Sequence, residues 1–135
     1  MGHKQLCILG VRVDAVTAAE TLDIIGQFVQ EGRPRQVVTV NPEFVMAAQA
    51  DEPFRRVLNG AALALPDGIG LLWAARFLGQ RLPERVAGSD LVPRIAERSV
   101  ERGWSLFLLG AAPGVAEQAA ARLTARYPGL TVVGT

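Results

Sequence analysis

Two short apolar runs in the sequence each end in polar residues that could do chemistry. The run 36–41 carries Thr39 and Asn41 near its end, and the run 61–65 is followed closely by Asp67. Both runs have the composition of strands buried in a parallel sheet, and ligands of such sheets bind where the strands end at their carboxyl edge. An aspartate placed there could act as a general base or bind a hydroxyl group. The sequence therefore predicts a polar site at the ends of these two strands.

The same three side chains also have ordinary structural explanations. Asp67 stands in a Pro-Asp-Gly turn, where aspartate commonly forms an Asx turn or caps a helix. Asn41 directly precedes Pro42, an order that is typical of a helix cap followed by proline in the first turn. Thr39 lies in a strand that we expect to be buried on both faces, so its hydroxyl group needs either a backbone partner or a polar ligand. Residue type leaves both interpretations open at all three positions.

Further candidates lie in two loops. Arg81 and Arg85, in the loop 79–88, could each hold a diphosphate through paired hydrogen bonds, although most loop arginines are simply solvated. Gly110 and Gly114 bracket a turn between a strand and a helix, where backbone N–H groups could approach a phosphate or where glycine simply serves the turn. The turn matches neither a Walker motif nor Gly-x-Gly-x-x-Gly. His3 is the only histidine and the sequence has no cluster of metal-ligand residues, so we expect no metal site.

The composition limits the class of protein. The chain has 135 residues, of which 50% are hydrophobic, and this is enough for one domain with its own core. A net charge of +1 gives no basic footprint for nucleic acid. Cys7 is the only cysteine, which favours a reducing cytoplasm over a disulfide-bonded fold. Because the sequence contains neither a long apolar run nor the pattern of a signal peptide, we expect a cytoplasmic protein without a membrane span.

Strand and helix patterns alternate along the chain. This alternation predicts the α/β class, with one domain over residues 1–135 that has a Rossmann-like parallel sheet and helices on both faces. The predicted strands are 6–13 as strand or hairpin, 36–41, 61–65, 104–109 and 130–133. The predicted helices begin at the Thr17/Glu20 capping box, at Asn41, at Asp51, at about Ile69, at Ser89 or Asp90, and at Val115.

The helix predicted at 69–78 is apolar nearly all round. Such a helix is either buried centrally or lies in an interface. The last predicted strand ends close to Thr135, where an α/β domain usually continues, so we expect that a C-terminal segment is missing. The helix 69–78 would then promote association into a homo-oligomer through its uncovered apolar surface.

Four spaced stretches of the chain carry a resemblance to a known family. They are TVNPE at 39–43, LPDGIG at 65–70, RVAGSDL at 85–91, and FLLG with PGVA at 107–116. Together they resemble the WecG/TagA/CpsF glycosyltransferases of bacterial surface polysaccharide and wall teichoic acid synthesis. The resemblance covers essentially the whole chain in the right order, and several spaced motifs that agree are more specific than any one of them.

The resemblance implies an inverting glycosyltransferase that needs neither a metal nor a cofactor. It would move a sugar, typically N-acetylmannosamine, from a UDP donor to a lipid-linked acceptor such as undecaprenyl-diphosphate N-acetylglucosamine. Asp67 matches the family base for the acceptor hydroxyl group, and Arg85 matches the arginine that steadies the diphosphate leaving group. Thr39 and Asn41 match polar residues that contact substrate. The missing segment would attach the protein peripherally to the inner face of the cytoplasmic membrane.

Two other classes of protein compete with this interpretation. A non-catalytic nucleotide- or sugar-binding module on the same fold would use Asp67 only to bind. A purely structural oligomerising domain would not bind UDP at all. Release of UDP from a UDP-sugar in the presence of a lipid-diphosphate acceptor distinguishes the three classes.

Overall fold

The computed structural model describes residues 2–135. The chain divides into two compact units, the first ending at Gly88 and the second beginning at Ser89. The strands and helices follow one another in the order β1 Gln5–Ile8, β2 Val11–Asp14, α1 Ala18–Glu31, β3 Val37–Val40, α2 Pro42–Ala50, α3 Glu52–Gly60, β4 Leu63–Pro66, α4 Ile69–Phe77, α5 Gly88–Arg102, β5 Ser105–Phe107, α6 Val115–Arg126 and β6 Thr131–Gly134.

The first unit begins with a hairpin in which β1 pairs antiparallel with β2. The turn residues Leu9 and Gly10 have φ angles of +48° and +82°. Positive φ at both positions is the backbone conformation of the commonest two-residue hairpin turn. Of the two structures that the sequence allows for this segment, the hairpin is therefore the correct one.

The central strands pair in parallel, as predicted. β3 and β4 run in register from Val37 opposite Leu63 to Val40 opposite Pro66. In the second unit, β5 and β6 are also parallel. Parallel pairs alternating with helices confirm the α/β class and the strand pairing that a Rossmann-like fold requires.

Apolar side chains from the hairpin, β3, β4 and helices α2 to α4 pack into the core of the first unit. Burying one large aliphatic side chain contributes about 1.5–3 kcal/mol relative to leaving it in water. Each large aliphatic side chain of this core therefore helps to hold the strand ends in place. Its deeply buried members include Val11, Val13, Val40, Leu58, Ala64 and Leu71.

Asp14 joins the hairpin to β4. Its side chain is fully buried, and its Oδ2 accepts a hydrogen bond from the backbone nitrogen of Ala64 at 2.7 Å. Arg12 Nη2 lies 3.2 Å from the same oxygen and donates to the carbonyl oxygen of Ala61 at 2.7 Å. Since a buried carboxylate is tolerated only when partners replace its lost hydration, this network fixes β2 beside β4.

Helices α1 to α3 begin at the caps that the sequence predicts. Thr17 and Glu20 form the expected capping box of α1. Asn41 caps α2, and Asp51 caps α3 through a hydrogen bond from a backbone nitrogen in the first turn. Gly32, with a φ of +66°, ends α1. These local signals set the directions in which α2 and α3 leave the strand edge.

The second unit contains α6 with the parallel pair β5 and β6. Ala96, Leu123 and Leu130 form its buried cluster. β5 is shorter than the predicted strand 104–109, because its pairing with β6 shifts register between Leu106 and Phe107. The regular register therefore covers two residues of β5, and the strand ends one residue after the shift.

α5 begins earlier than predicted. Its first residue is Gly88, so Ser89 and Asp90 lie inside the first turn and neither precedes the helix as a cap. The expected cap at Ser89 or Asp90 is therefore wrong. The physical reason is that the backbone nitrogen of Gly88 finds its acceptor in a carboxylate from a distant part of the chain, Asp67.

α4 is the helix that the sequence predicts to be either central or at an interface. Leu71 and Ala75 are buried, whereas Trp73 and Phe77 are 72% and 92% exposed. Central burial is therefore wrong, because one side of the helix packs on the core and the opposite side faces solvent. Within residues 2–135, no helix is both long enough and apolar enough to cross a bilayer.

Candidate functional site

The ends of β3 and β4 lie side by side. Val40 and Pro66 are the last paired residues of the two strands, and the backbone nitrogen of Asp67 donates to the carbonyl oxygen of Val40 at 2.8 Å. Asn41 and Asp67 therefore follow directly from paired positions at one carboxyl edge. The expectation that the two strand ends meet at a common edge is confirmed.

Asp67 does not have the local structural role that its turn suggests. α4 has Gly68 at its N-cap, and no side chain caps that helix. Instead, Oδ2 of the half-buried Asp67 accepts a hydrogen bond of 3.3 Å from the backbone nitrogen of Gly88. This donor lies at the start of α5, where unpaired N–H groups and the helix dipole favour a negative charge. The carboxylate is thus held at the edge and is still partly open to solvent.

Arg85 lies in a segment that is fastened on both sides. On one side, Glu84 Oε1 accepts a hydrogen bond from the backbone nitrogen of Ala18, at the start of α1. On the other side, the backbone nitrogen of Val86 donates to the carbonyl oxygen of Pro66 at 2.8 Å. Because Pro66 immediately precedes Asp67, these two bonds hold the backbone of Arg85 next to the end of β4. The Arg85 side chain itself is exposed.

Thr39 packs against the same glycine that contacts Asp67. A Cβ atom built on Gly88 would lie 3.1 Å from Thr39 Cγ2 and 3.8 Å from Thr39 Oγ1. A contact of 3.1 Å is tighter than side chains normally tolerate, so the absence of a side chain at Gly88 lets Thr39 approach. Thr39, Asp67 and Gly88 consequently form one contact group at the strand edge.

Asn41 carries out its structural role. Its Oδ1 accepts a hydrogen bond from the backbone nitrogen of Phe44 at 2.8 Å, which closes the first turn of α2. Since the carbonyl oxygen serves the cap, the amide nitrogen is the group that Asn41 can offer to a ligand. A ligand at the edge could therefore use Asn41 only as a hydrogen-bond donor.

Two glycines let α2 and α4 start close together. A Cβ atom on Gly68 or on Gly70 would lie 3.0 Å from a ring carbon of Pro42. Gly68 also has a φ of +142°, which side chains rarely allow. The Asp-Gly-Ile-Gly sequence after β4 is thus required for the close approach that frames Asp67.

Gly110 and Gly114 belong to the second unit. Their φ angles are +105° and +84°, so both positions favour glycine for the shape of the turn. Gly114 occupies the N-cap of α6, which has no side-chain cap. The positive φ angles support the simple explanation that glycine serves this turn, and the first N–H groups of α6 are not used by a capping side chain. Their predicted role at a phosphate stays a prediction.

Three residues at or near the edge have roles that the sequence did not indicate. Glu84 anchors the loop, Gly88 donates to the candidate base, and Asp14 ties the hairpin to β4. Gly88 lies in the stretch RVAGSDL, and its place in that motif was the one sign in the sequence that it could belong to the site. In residues 2–135, no group of three or more His, Cys, Asp or Glu side chains is arranged to hold a metal ion.

Comparison with known proteins matches residues 6–135 to the Glycosyl transferase WecG/TagA/CpsF family. Three similar proteins carry the name N-acetylglucosaminyldiphosphoundecaprenol N-acetyl-beta-D-mannosaminyltransferase. The protein of Bacillus spizizenii is 29% identical over 107 residues, which cover 79% of this chain and 42% of that protein. The protein of Bacillus subtilis strain 168 is 32% identical over 98 residues, which cover 73% of this chain and 38% of that protein. The protein of Staphylococcus aureus strain NCTC 8325 is 32% identical over 126 residues, which cover 92% of this chain and 50% of that protein.

The chain thus spans about half the length, or less, of the curated relatives that it matches. The family match nevertheless covers nearly every residue of the chain itself. It includes both compact units and all four stretches that carry the resemblance in the sequence. The chain therefore belongs to the WecG/TagA/CpsF family of glycosyltransferases.

Proposed function

We propose that this chain is a glycosyltransferase core that moves N-acetylmannosamine, or a related sugar, from a UDP donor to an undecaprenyl-diphosphate-linked N-acetylglucosamine. The names of the relatives support the sugar and the lipid-linked acceptor. The observation that carries the proposal is the junction at the end of β4. There, the backbone bond from Val86 to Pro66 brings the segment of Arg85 beside Asp67.

In the proposed reaction, Asp67 is the general base. It takes the proton of the acceptor hydroxyl group while that oxygen forms a bond to the anomeric carbon of the donor sugar. The bond from the anomeric carbon to the diphosphate breaks on the opposite face, so UDP leaves with the electron pair and the configuration inverts. A general base in reach of the proton typically contributes about 10²–10⁴-fold in rate.

Arg85 has the complementary role at the leaving group. A guanidinium group can bind two phosphate oxygens at once and stabilise the charge that develops on the diphosphate. In this proposal the positive charge comes from the protein and no metal ion is required. Glu84 and Val86 hold the backbone on both sides of Arg85, which limits the positions that the guanidinium group can take.

The remaining candidates position the substrates. Thr39 and the amide nitrogen of Asn41 can donate hydrogen bonds to sugar hydroxyl or carbonyl oxygens at the strand edge. Gly110 and Gly114 would let backbone N–H groups approach the donor diphosphate. Because the acceptor is lipid-linked and the donor is a UDP-sugar, we place the reaction at the inner face of the cytoplasmic membrane, with the protein bound peripherally.

The test measures UDP release from UDP-N-acetylmannosamine with a lipid-diphosphate N-acetylglucosamine acceptor. Asp67→Asn keeps an oxygen that can accept from Gly88, so we expect a folded protein that binds UDP but turns over at least about a hundredfold more slowly. Glu97→Gln, an exposed change on α5 outside the four stretches that carry the family resemblance, is the matched control. We expect EDTA to leave turnover unchanged.

Three results would contradict the proposal. Normal turnover in Asp67→Asn rejects this residue as the base. UDP binding without any turnover by the unaltered protein favours the non-catalytic binding module, and absence of UDP binding favours a structural domain.

A further inference from the structure

α4 presents aligned apolar side chains to solvent. Ile69, Trp73 and Phe77 follow each other at four-residue spacing and are 62%, 72% and 92% exposed. Residues spaced by four lie on the same side of a helix, one turn above another. Single exposed apolar residues are common on protein surfaces, but a contiguous row that includes a tryptophan and a phenylalanine marks an interaction surface. We call this row, together with Leu72 and Arg76, the α4 outer face.

A cationic groove adjoins the α4 outer face. It has a volume of about 400 Å³ and runs between α4 and the loop at Arg81, Leu82 and Pro83. Arg76 and Arg81 both line it, and no acidic side chain does. Within residues 2–135, neither guanidinium group forms an ion pair. The surface therefore combines exposed aromatic rings with two positive charges that no acidic side chain of the groove offsets.

We propose that the α4 outer face docks on a bilayer that contains anionic phospholipid. Tryptophan and phenylalanine rings at the apolar face of an amphipathic helix insert into the boundary between head groups and acyl chains. Arginine side chains reach from there to lipid phosphates, while their aliphatic parts stay among apolar groups. Trp73 and Phe77 are thus the inserted groups, and Arg76 and Arg81 are the phosphate contacts.

Charge favours a membrane over a second copy of the chain. In a two-fold symmetric dimer the same patch meets itself, so the Arg76 and Arg81 of both copies would lie within one apolar contact. Like charges there are destabilising, and the outer face of α4 offers no acidic residue to pair with them. An anionic lipid surface supplies the missing negative charge at every arginine.

The docking deepens the proposed function and rests on the peripheral membrane binding stated there, but vesicle binding requires no sugar transfer, so the two can fail separately. The docking also suits a lipid-linked acceptor. α4 begins two residues after Asp67, and the segment that carries Arg81 continues to Arg85. Contact between the α4 outer face and a bilayer would place the strand edge close to the membrane surface.

Vesicle co-sedimentation tests the docking with the unaltered full chain. We expect binding to vesicles of phosphatidylcholine mixed with phosphatidylglycerol, and much weaker binding to vesicles of phosphatidylcholine alone. Trp73→Ser/Phe77→Ser should weaken binding at least about tenfold. Arg76→Gln/Arg81→Gln should weaken binding to the anionic vesicles by about fivefold for each arginine.

The matched control is Met46→Ser/Val57→Ser, which removes two apolar side chains that are 62% and 49% exposed on α2 and α3. Its binding should stay within about twofold of the unaltered chain, and circular dichroism should show all variants folded. Equal loss in the control, or full binding by Trp73→Ser/Phe77→Ser, would overturn the docking. The docking would also be overturned if the unaltered chain bound no vesicles but self-associated, and if Trp73→Ser/Phe77→Ser abolished that self-association.

Fluorescence gives a second measurement that does not depend on a destabilising variant. In the Trp104→Phe chain, Trp73 is the only tryptophan. Its emission should shift to the blue on anionic vesicles, and lipids brominated near the head group should quench it. An unchanged spectrum at vesicle concentrations that sediment the protein would place the contact elsewhere and reject the α4 outer face.

Discussion

The carboxylate of Asp67 accepts a hydrogen bond from the backbone nitrogen of Gly88, across 3.3 Å in space and 21 positions in sequence. This bond is longer than the usual range of about 2.7–3.2 Å, so it orients the carboxylate without binding it strongly. A substrate hydroxyl group can compete for such an acceptor. The same bond gives an acceptor to the first N–H group of α5, while α4 has no side-chain cap.

Gly88→Ala should disturb the strand edge through Thr39. The new Cβ atom would lie 3.1 Å from Thr39 Cγ2, so one of the two side chains must move. We expect a loss of about 1–3 kcal/mol in the free energy of unfolding, measured by urea denaturation, together with slower UDP release. Thr39→Ser removes the methyl group that meets the new side chain. The double variant should therefore recover most of the lost stability, and purely additive losses would contradict this contact.

Asp14→Ala should be among the most destabilising single changes in the first unit. It leaves the buried backbone N–H group of Ala64 without its acceptor and removes the ion pair to Arg12. We expect a loss of about 3 kcal/mol in the free energy of unfolding. Asp14→Asn retains an acceptor oxygen and should lose less. Glu43→Ala, an exposed acidic residue on α2, is the control and should change stability by about 0.5 kcal/mol or less.

Glu52 should titrate below the ordinary range of a glutamate. The hydrogen bond from the Arg55 side chain is the main cause of its lowered pKa, with smaller contributions from the charge of Arg55 and from Arg56, while partial desolvation acts in the opposite direction. A lowered pKa in the folded chain means that the pair stabilises the fold above the unfolded pKa. That contribution is lost as the pH falls from the unfolded pKa through the lower folded pKa. Carboxyl NMR titration should show the pKa rising in Arg55→Gln, and an unchanged pKa would contradict the assignment.

Local signals made part of the site predictable from the sequence. The apolar runs before Asn41 and Asp67 indicated two buried strands, and parallel pairing then required their ends to share an edge. The Asn-Pro step correctly predicted the start of α2, because a cap and a first-turn proline act within a few residues. Features that depend on residues close together in the sequence could therefore be predicted from it.

Contacts between residues far apart in the sequence could not be predicted in this way. Glu84 reaches the start of α1, 66 positions earlier, and Gly88 reaches Asp67, and neither bond leaves a periodic trace in the sequence. α4 shows a second limit of prediction from the sequence. Its composition indicates that the helix is apolar, but which side is covered depends on the neighbours that Leu71 and Ala75 pack against.

Glu84 should affect turnover only by positioning Arg85. Its carboxylate accepts the backbone N–H group of Ala18 and so fastens the segment on one side of Arg85, while Val86 fastens the other side. Glu84→Ala should slow UDP release by about tenfold to a hundredfold, because a misplaced guanidinium group stabilises the leaving diphosphate less well. Glu84→Gln retains an acceptor oxygen and should recover most of the rate.

The double variant with Arg85→Ala separates positioning from a general loss of stability. If Glu84 acts through Arg85, Glu84→Ala should have little further effect on the rate once the guanidinium group is gone. Glu31→Ala, which removes an exposed ion pair with Arg35 at the other end of α1, should leave the rate unchanged. Equal slowing by Glu84→Ala with and without Arg85 would show that the anchor supports the fold as a whole and not the position of this arginine.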